Sequence, residues 1–237
     1  MATTITGTTI DVGPNKLVAN SAGNVGIGTS SPTRKLTVYD TDAYLALQNP
    51  TTGSAAGDGF QLQLVGNDVY HANYEAGSQI FTTSGSERMR INSAGIVTKP
   101  LQPAFLAQPS TTILNIPTGA SGNLNFDAER FDTNSDYSSG TFTAPVTGKY
   151  FLTVNFYFIN LDSAASYYEG LLTTSNRTYY TIVDPDFGQD NVYFCLVLTV
   201  LADMDAGDTA NISVHQGGGS SQTDISASAT FSGYLVA

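Results

Sequence analysis

The chain of 237 residues is long enough for one or two domains with a proper core, and only 12% of its residues are charged, about half the usual fraction. Its many Thr, Ser, Asn and Gly residues favour turns and strands, and no window carries helix formers at a 3.6-residue period, so we predict an all-β protein. The net charge of −11 argues against a nucleic-acid partner, and no run approaches the roughly 18 apolar residues that membrane insertion requires.

The charge is unevenly distributed along the chain. Residues 1–100 hold six Lys or Arg against seven Asp or Glu, whereas residues 101–237 hold three against thirteen. This shift predicts a domain boundary near residue 100. The first residues contain neither a basic nor an apolar signal region, so we expect no secretory signal peptide. The single cysteine, Cys195, lies in an apolar run and is predicted to be a buried, unreactive strand residue.

A short glycine-containing motif occurs twice in the first hundred residues. NSAGNV at 20–25 recurs as NSAGIV at 92–97, and Asn-Ser-Ala-Gly is typical of a turn in which Gly adopts a positive φ. We predict the same turn and following strand at both places. Gly26-x-Gly28 resembles a phosphate-binding loop only in part, because Ser31 stands where the third glycine belongs and a period-two run follows. We therefore interpret these glycines as architectural, allowing chain backbones to approach closely around a shared axis.

Between the two copies lie short runs with a period of two, separated by turn-forming residues. In FQLQLV the apolar Phe60, Leu62 and Leu64 alternate with glutamines, and KLTVYD, AYLAL and ERMRIN show similar alternation. Such a pattern predicts strands with one dry, apolar face. The runs hold few large apolar residues, so we expect this half to complete its core by packing against copies of itself.

The second half carries longer apolar strands. YFLTVNFYF at 150–158 places five large apolar side chains on one face, and VYFCLVLTV at 192–200 is apolar on both faces. A strand with two apolar faces is expected to be covered on both sides, inside a sandwich or at a subunit interface. Recurrent strands of this kind, separated by turn signals, predict a jelly-roll-like sandwich.

The first half resembles a known kind of fibre protein. GNVGIGTSSP near the start and SERMRI before the second motif copy are similar to repeat segments of bacteriophage tail-fibre proteins, over about residues 18–100. This resemblance implies a thin, intertwined β-shaft in a virion fibre.

The remainder, about residues 101–237, resembles the C1q/TNF-like domain, a jelly roll that forms tight trimers. The main match is Gly-x-Phe-x-Ala-Pro-x-x-Gly-x-Tyr, which starts at Gly140 and ends at Tyr150, and PAFLA, DAGDTANISV and FSGYLV match further. No collagen-like Gly-X-Y tract precedes the domain, which favours a phage fibre over animal complement-like proteins. Phe142 and Tyr150 flank the turn in this pattern, and we expect them to bracket a hairpin with both rings facing the core.

Residues typical of a catalytic or zinc site are scarce. The two histidines, His71 and His215, lie in different halves without a partner at ligand spacing, and no nucleophile elbow or Walker motif occurs. We predict that the protein is not an enzyme and has no catalytic residue. A polysaccharide depolymerase is an alternative of another class, since two aspartates could serve as acid and nucleophile.

Aspartates provide a candidate metal site. Asp184, Asp186 and Asp190 lie close together in DPDFGQD, and carboxylates so spaced can ligate calcium, which some C1q-like trimers bind. The alternative is a solvated acidic loop. No other cofactor is expected.

Tyrosines provide a candidate contact surface. YYEG and RTYYTI are predicted loops in which four tyrosines offer large, amphipathic rings to a glycan or protein receptor: Tyr167, Tyr168, Tyr179 and Tyr180. The alternative is that half of these rings face the core, because adjacent strand residues point to opposite sides.

Together these features predict a homotrimeric bacteriophage virion protein made in the host cytoplasm. Residues 1–17 would dock on other virion proteins, residues 18–100 would form the shaft, and residues 101–237 would form C1q-like heads. Three heads would bind a host-surface receptor with avidity. The alternatives are a capsid-decorating head fibre or spike, a depolymerase, and a free secreted C1q-like lectin.

Overall fold

A computed structural model describes residues 17–237, which contain strands and turns and no helix. The all-β prediction is therefore confirmed. These residues divide into two compact units, the first ending at Thr98 and the second spanning Lys99–Ala237. The described part of the chain offers no helix that could cross a membrane. Apart from Leu17, the predicted docking segment 1–17 lies outside the described residues.

The first unit consists of three small sheets that follow one another along the chain, each with three strands. Their strands are paired antiparallel, except that β2 and β3 are parallel. The strand bounds are β1 Leu17–Ala19, β2 Val25–Ile27, β3 Leu36–Val38, β4 Asp42–Leu47, β5 Phe60–Val65, β6 Asp68–Asn73, β7 Gln79–Thr83, β8 Ser86–Ile91 and β9 Val97–Thr98.

The repeated motif forms the same turn at both places, as predicted. The side-chain oxygens of Asn20 and Asn92 each accept hydrogen bonds from the backbone N–H groups two and four residues later. Gly23 and Gly95 have φ angles of 72° and 79°, a region that only glycine enters without steric cost. The N–H of each glycine also donates to the carbonyl of its asparagine. The motif is thus a repeated construction element.

Gly28 packs closely against the backbone of its own chain, at Tyr39. Its φ is 78°, and a Cβ at this position would overlap the carbonyl oxygen of Tyr39. The close backbone approach that we expected around a shared axis already exists within one chain. Glycine is required here for that internal contact.

The sheet β4–β6 has the opposite burial from the one its sequence predicts. Gln61 and Gln63 are buried, whereas Leu64 is exposed. The amide of Gln63 donates to Gln61 and to the Tyr74 hydroxyl, which compensates for the loss of water. The expectation that the leucine side is the dry face is therefore wrong within one chain, because a loop covers the glutamine side instead.

The second unit is a sandwich of two mainly antiparallel sheets, with strand orders β12-β10-β21-β15-β18 and β13-β14-β19-β16-β17. Strand β20 also pairs with β15, and β11 with β19. The strand bounds are β10 Ala104–Gln108, β11 Gly119–Asn123, β12 Ala128–Asp132, β13 Tyr137–Ser138, β14 Thr141–Thr143, β15 Gly148–Leu161, β16 Tyr167–Thr174, β17 Thr178–Val183, β18 Asn191–Met204, β19 Thr209–Gly217, β20 Asp224–Ile225 and β21 Thr230–Leu235. This arrangement is the predicted jelly roll.

The core lies between these two sheets. The alternate residues of β15 are fully buried, as the period of two predicts: Tyr150, Leu152, Val154, Phe156 and Phe158. Aromatic rings fill one end of the core, where Phe105 stacks on Phe142 with ring centroids 4.8 Å apart. Burial of such rings supplies much of the driving force for folding.

The Gly-x-Phe-x-Ala-Pro pattern forms a corner between the sheets. The rings of Phe142 and Tyr150 are buried with centroids 5.4 Å apart, as predicted. However, β14 pairs with β13 and β19 while β15 pairs with β18, β20 and β21. The expected hairpin is therefore wrong, since the turn carries the chain from one sheet to the other.

Substitution of Gly170 tests the packing between the sheets. A Cβ at Gly170 would overlap the ring of Phe156, so Gly170→Ala should lower the free energy of unfolding by about 1–3 kcal/mol through overpacking. Urea unfolding of the full chain measures the change, with Ser213→Ala as a half-buried control within about 0.5 kcal/mol of wild type. Phe156→Leu should cost less in the Gly170→Ala background than alone, and strict additivity would contradict this contact.

Candidate functional site

The four predicted contact tyrosines lie on neighbouring strands and not in loops. Tyr167 and Tyr168 open β16, and Tyr179 and Tyr180 lie in β17. The two strands pair antiparallel, with Leu171 opposite Tyr180. Strand alternation therefore decides which rings face outward.

Two of the four rings point inward, as the alternative interpretation predicts. Tyr168 is fully buried, its hydroxyl accepts the backbone N–H of Asp162 at 3.1 Å, and it lies 2.6 Å from Thr223 Oγ1. Burial raises the pKa of this phenol above its ordinary value. Tyr179 packs against the core. Tyr168 cannot offer its ring to a surface ligand, because no part of it reaches the surface.

The other two rings point outward and join a patch that we call the tyrosine face. Tyr180 is 63% exposed, and the rings of Tyr167 and His215 make a T-shaped contact with centroids 5.4 Å apart. The tyrosine face comprises Tyr167, Glu169, Leu171, Tyr180, Ile182 and His215.

The centre of the tyrosine face is polar. The carboxylate of Glu169 lies 3.5 Å from Nδ1 of His215 on the neighbouring strand β19, and Ile182 lies opposite Glu169 on β17. An aromatic and aliphatic surface with a central carboxylate can combine apolar contact with hydrogen bonding. Glu169, Ile182 and His215 were missed from the sequence, since only the strand register brings them beside the tyrosines.

The predicted calcium ligands do not converge. Among residues 17–237 the structure shows no cluster of three or more His, Cys, Asp or Glu side chains that could hold a metal. Asp184 and Asp186 are exposed, and Oδ1 of Asp184 accepts the backbone N–H of Asp186. Asp190 instead binds a neighbouring loop, accepting hydrogen bonds from Ser163 and Gln222. Calcium binding at these three residues stays a prediction.

A buried carboxylate joins the loops at one end of the sandwich. Oδ2 of Asp162 accepts hydrogen bonds from the backbone N–H and hydroxyl of Ser220, and Oδ1 accepts the N–H of Ala164. These bonds, above all the one from the Ser220 backbone, lower the pKa of Asp162 below its ordinary value. The clamp holds the loop after β15 against the loop after β19.

The Asp162 clamp predicts a pH dependence of stability. Because the folded pKa lies below the unfolded value of 3.8, the charged form stabilises the fold fully above that value, and this contribution is lost as the pH falls through the folded pKa. Asp162→Asn should have a lower free energy of unfolding than wild type at neutral pH. Its free energy of unfolding should also fall less than that of wild type on acidification, as measured by urea unfolding between about pH 2 and pH 6. Asp186→Asn is the control, because Asp186 is exposed and lies outside the clamp. An equal dependence of the free energy of unfolding on pH in wild type and Asp162→Asn would contradict the clamp.

The other sheet of the sandwich presents a surface that we call the apolar face. On its edge strand β18, Tyr193, Val197 and Leu201 are each more than half exposed. Ring contacts continue this face across the sheet, between Tyr157 and Tyr193 and between Phe151 and Tyr234. All these residues share one side by strand register. Large apolar side chains are thus exposed on β18 and at Tyr234 of β21, whereas Phe151 and Tyr157 between them are half-buried.

Cys195 lies in the apolar face and is exposed. The sequence predicts a buried cysteine, and the prediction is wrong for a single chain because the residue lies on the uncovered side of β18. Its neighbours Leu196 and Leu198 point the other way and are buried.

Comparison with known proteins identifies the second unit. The C1q domain family matches residues 104–236, more than half of the chain. The globular domain of zebrafish complement 1qA protein is 18% identical, with 57% of this chain and 98% of that chain covered and a TM-score of 0.42. Murine APRIL is 10% identical, with 57% and 99% covered and a TM-score of 0.42. No curated protein sequence matches the chain.

Proposed function

Since the chain belongs to the C1q domain family, we propose that it is a homotrimeric binding protein whose C1q heads attach a virion to its host. C1q/TNF-like domains typically form homotrimers, bind receptors and are generally non-enzymatic. The proposal adds to this common property a phage fibre role for the whole chain and a contact surface on the head.

The apolar face carries the assembly part of the proposal. Full burial of an aliphatic side chain contributes about 1.5–3 kcal/mol relative to leaving it in water, and Val197 and Leu201 would gain part of this because 56% and 60% of each is still exposed. Thr153 and Thr199 lie between these apolar side chains and bond to each other. Several large exposed apolar side chains on one side of a sheet are unusual on a monomer and common at obligate interfaces. Copies of the same chain are the partner that the family leads us to expect.

The fibre part rests on the first unit. Its three thin sheets and the repeated asparagine turn fit the tail-fibre resemblance of residues 18–100. On this proposal residues 1–17 dock on other virion proteins and the partner of the heads is a host-surface glycan or protein. Attachment to the capsid as a head fibre or spike is the second candidate, because a thin shaft with heads at its end suits a fibre on either part of a virion.

Receptor contact is proposed for the tyrosine face. It lies on the sheet opposite the apolar face, so assembly through one sheet leaves the other free. Three equivalent heads raise weak individual contacts to useful avidity through their effective concentration. A depolymerase would instead release new reducing ends from host envelope glycans, which a binding protein does not.

The assembly is tested by light scattering of the full chain. We expect a mass of three times 25.0 kDa at micromolar concentration. Val197→Asp should lower the fraction of trimer at a given concentration, because it places a charge in a desolvated interface. Ile182→Asp is the matched control on the other sheet, since the two residues are 56% and 54% exposed. A wild-type mass of 25.0 kDa would exclude the homotrimer.

Cys195 provides an independent measurement of the same interface. Its thiol is exposed in one chain, so a trimer formed through the apolar face should label slowly with maleimide and rapidly in Val197→Asp. Equal rates in both proteins would contradict this interface. Detection of the chain in purified virions by mass spectrometry tests the virion role separately.

Receptor contact is tested with Tyr180→Ala. Loss of an exposed aromatic contact should weaken adsorption to host cells about tenfold or more while leaving the trimer mass unchanged. Leu114→Ala, at a residue 65% exposed outside the tyrosine face, is the control. Equal adsorption of both variants and wild type would place the contact elsewhere.

A further inference from the structure

Each small sheet of the first unit leaves an apolar side partly uncovered. In the sheet β1–β3 this side includes the exposed Leu17, Ile27 and Leu36, and in the sheet β7–β9 it includes the exposed Phe81 and Val97. In all three consecutive sheets, therefore, the apolar side is not fully covered by the described part of the chain. The middle sheet shows it most fully.

One side of the middle sheet, which we call the leucine face, is apolar and uncovered. Cross-strand register places its members on one side of β4, β5 and β6: Ala43, Leu45, Leu47, Phe60, Leu62, Leu64, Val69, His71 and Asn73. Leu45, Leu47, Leu64 and Val69 are between 46% and 67% exposed. A surface of this composition is expected to be covered in the functional protein.

The opposite side of the sheet is already closed by the same chain. The amide of Gln61 donates to the carbonyl of Ala56 in the loop between β4 and β5, and Gln63 bonds to Tyr74. That loop covers the polar side, and nothing among residues 17–98 covers the leucines to the same degree. The cover for the leucine face must therefore come from outside this part of the chain.

The leucine face opens into a cavity at the side of the third sheet. Its lining combines the apolar Leu47, Phe60, Ile80 and Phe81 with polar residues that include Asn73, Glu75 and Gln79. Its volume of about 390 Å³ is more than twice the roughly 150 Å³ that holds a benzene ring in an engineered protein cavity. Apolar side chains from a second molecule could therefore enter beside the leucine face.

The charge pattern indicates which molecule covers the face. Around a symmetry axis the same residues of each copy come close together, so a charged residue would meet its like. The leucine face contains no Asp, Glu, Lys or Arg, and Asp42 and Asp68 lie on the other side of the sheet. Residues 1–100 as a whole are almost neutral, with six basic and seven acidic residues. The face is thus suited to its own copies.

We propose that the leucine face is a second interface between copies of this chain, separate from the apolar face of the head. The proposal rests on the homotrimer proposed above and assigns its partner surface in the first unit. Leu45, Leu47, Leu64 and Val69 of each copy are buried against the other copies, and the fold of the first unit is completed by assembly.

Paired cysteine labelling tests the leucine face in the full chain. In a Cys195→Ser background, Val69→Cys places a thiol on this face and Tyr70→Cys places one on the opposite side of the same strand. The native residues are 67% and 46% exposed in one chain, so a free chain would label Val69→Cys at least as fast. In the assembly, Val69→Cys should label with maleimide about tenfold or more slowly than Tyr70→Cys, because labelling must wait for the interface to open. Light scattering on the same samples reports their mass.

Labelling and light scattering together distinguish the leucine-face interface from the homotrimer on which it rests. A trimer in which both thiols label at the same rate overturns the leucine-face interface and leaves the homotrimer standing. A monomer overturns both, and if Val69→Cys is nevertheless protected, a segment of the same chain covers the face.

As a second variant, Val69→Asp in a chain that remains trimeric through its heads should increase proteolysis within residues 42–73, whereas Tyr70→Asp should not. Equal proteolysis of the two would also count against the interface.

Discussion

The two faces of the long strands β15 and β18 impose the constraint on which the rest of the structure depends. Both strands are 14 residues long, with an apolar inner side and an outer side on which large apolar residues alternate with polar ones such as Thr153 and Thr199. A two-layer sandwich can bury only the inner side of each sheet. The inner residues form the core, and the outer residues form the apolar face. The strands that build the fold thus also create the surface through which we propose that the chain assembles.

Periodicity predicted the inner side of this sandwich residue by residue. The five buried positions of β15 follow directly from a period of two, and the asparagine turn follows from side-chain chemistry that acts within six residues. Both are local properties, so the sequence contains them in full. The C1q-like pattern supplied the topology that periodicity cannot.

What failed was the assignment of covered and uncovered sides. Alternation in FQLQLV predicts two different faces, but which face is covered depends on a loop of the same chain that closes over Gln61 and Gln63. Cys195 was predicted to be buried for the same reason. It does lie among apolar residues, but no other part of the chain covers that side of β18. Burial is a property of packing partners, and a partner outside the chain leaves no trace in its periodicity.

The tyrosine face and the apolar face lie on different sheets of one small sandwich, so the proposed binding and the proposed assembly do not compete for the same surface. Glu169 and His215 are 46 residues apart in the sequence and become neighbours only because β16 pairs with β19. That pairing lies in one sheet, whereas the apolar face lies on the other, and the core between them separates the two outer surfaces. Burial of one surface against other copies therefore need not cover the second. The Asp162 clamp lies apart from both outer surfaces, since its hydrogen bonds tie together the loops that join the two sheets.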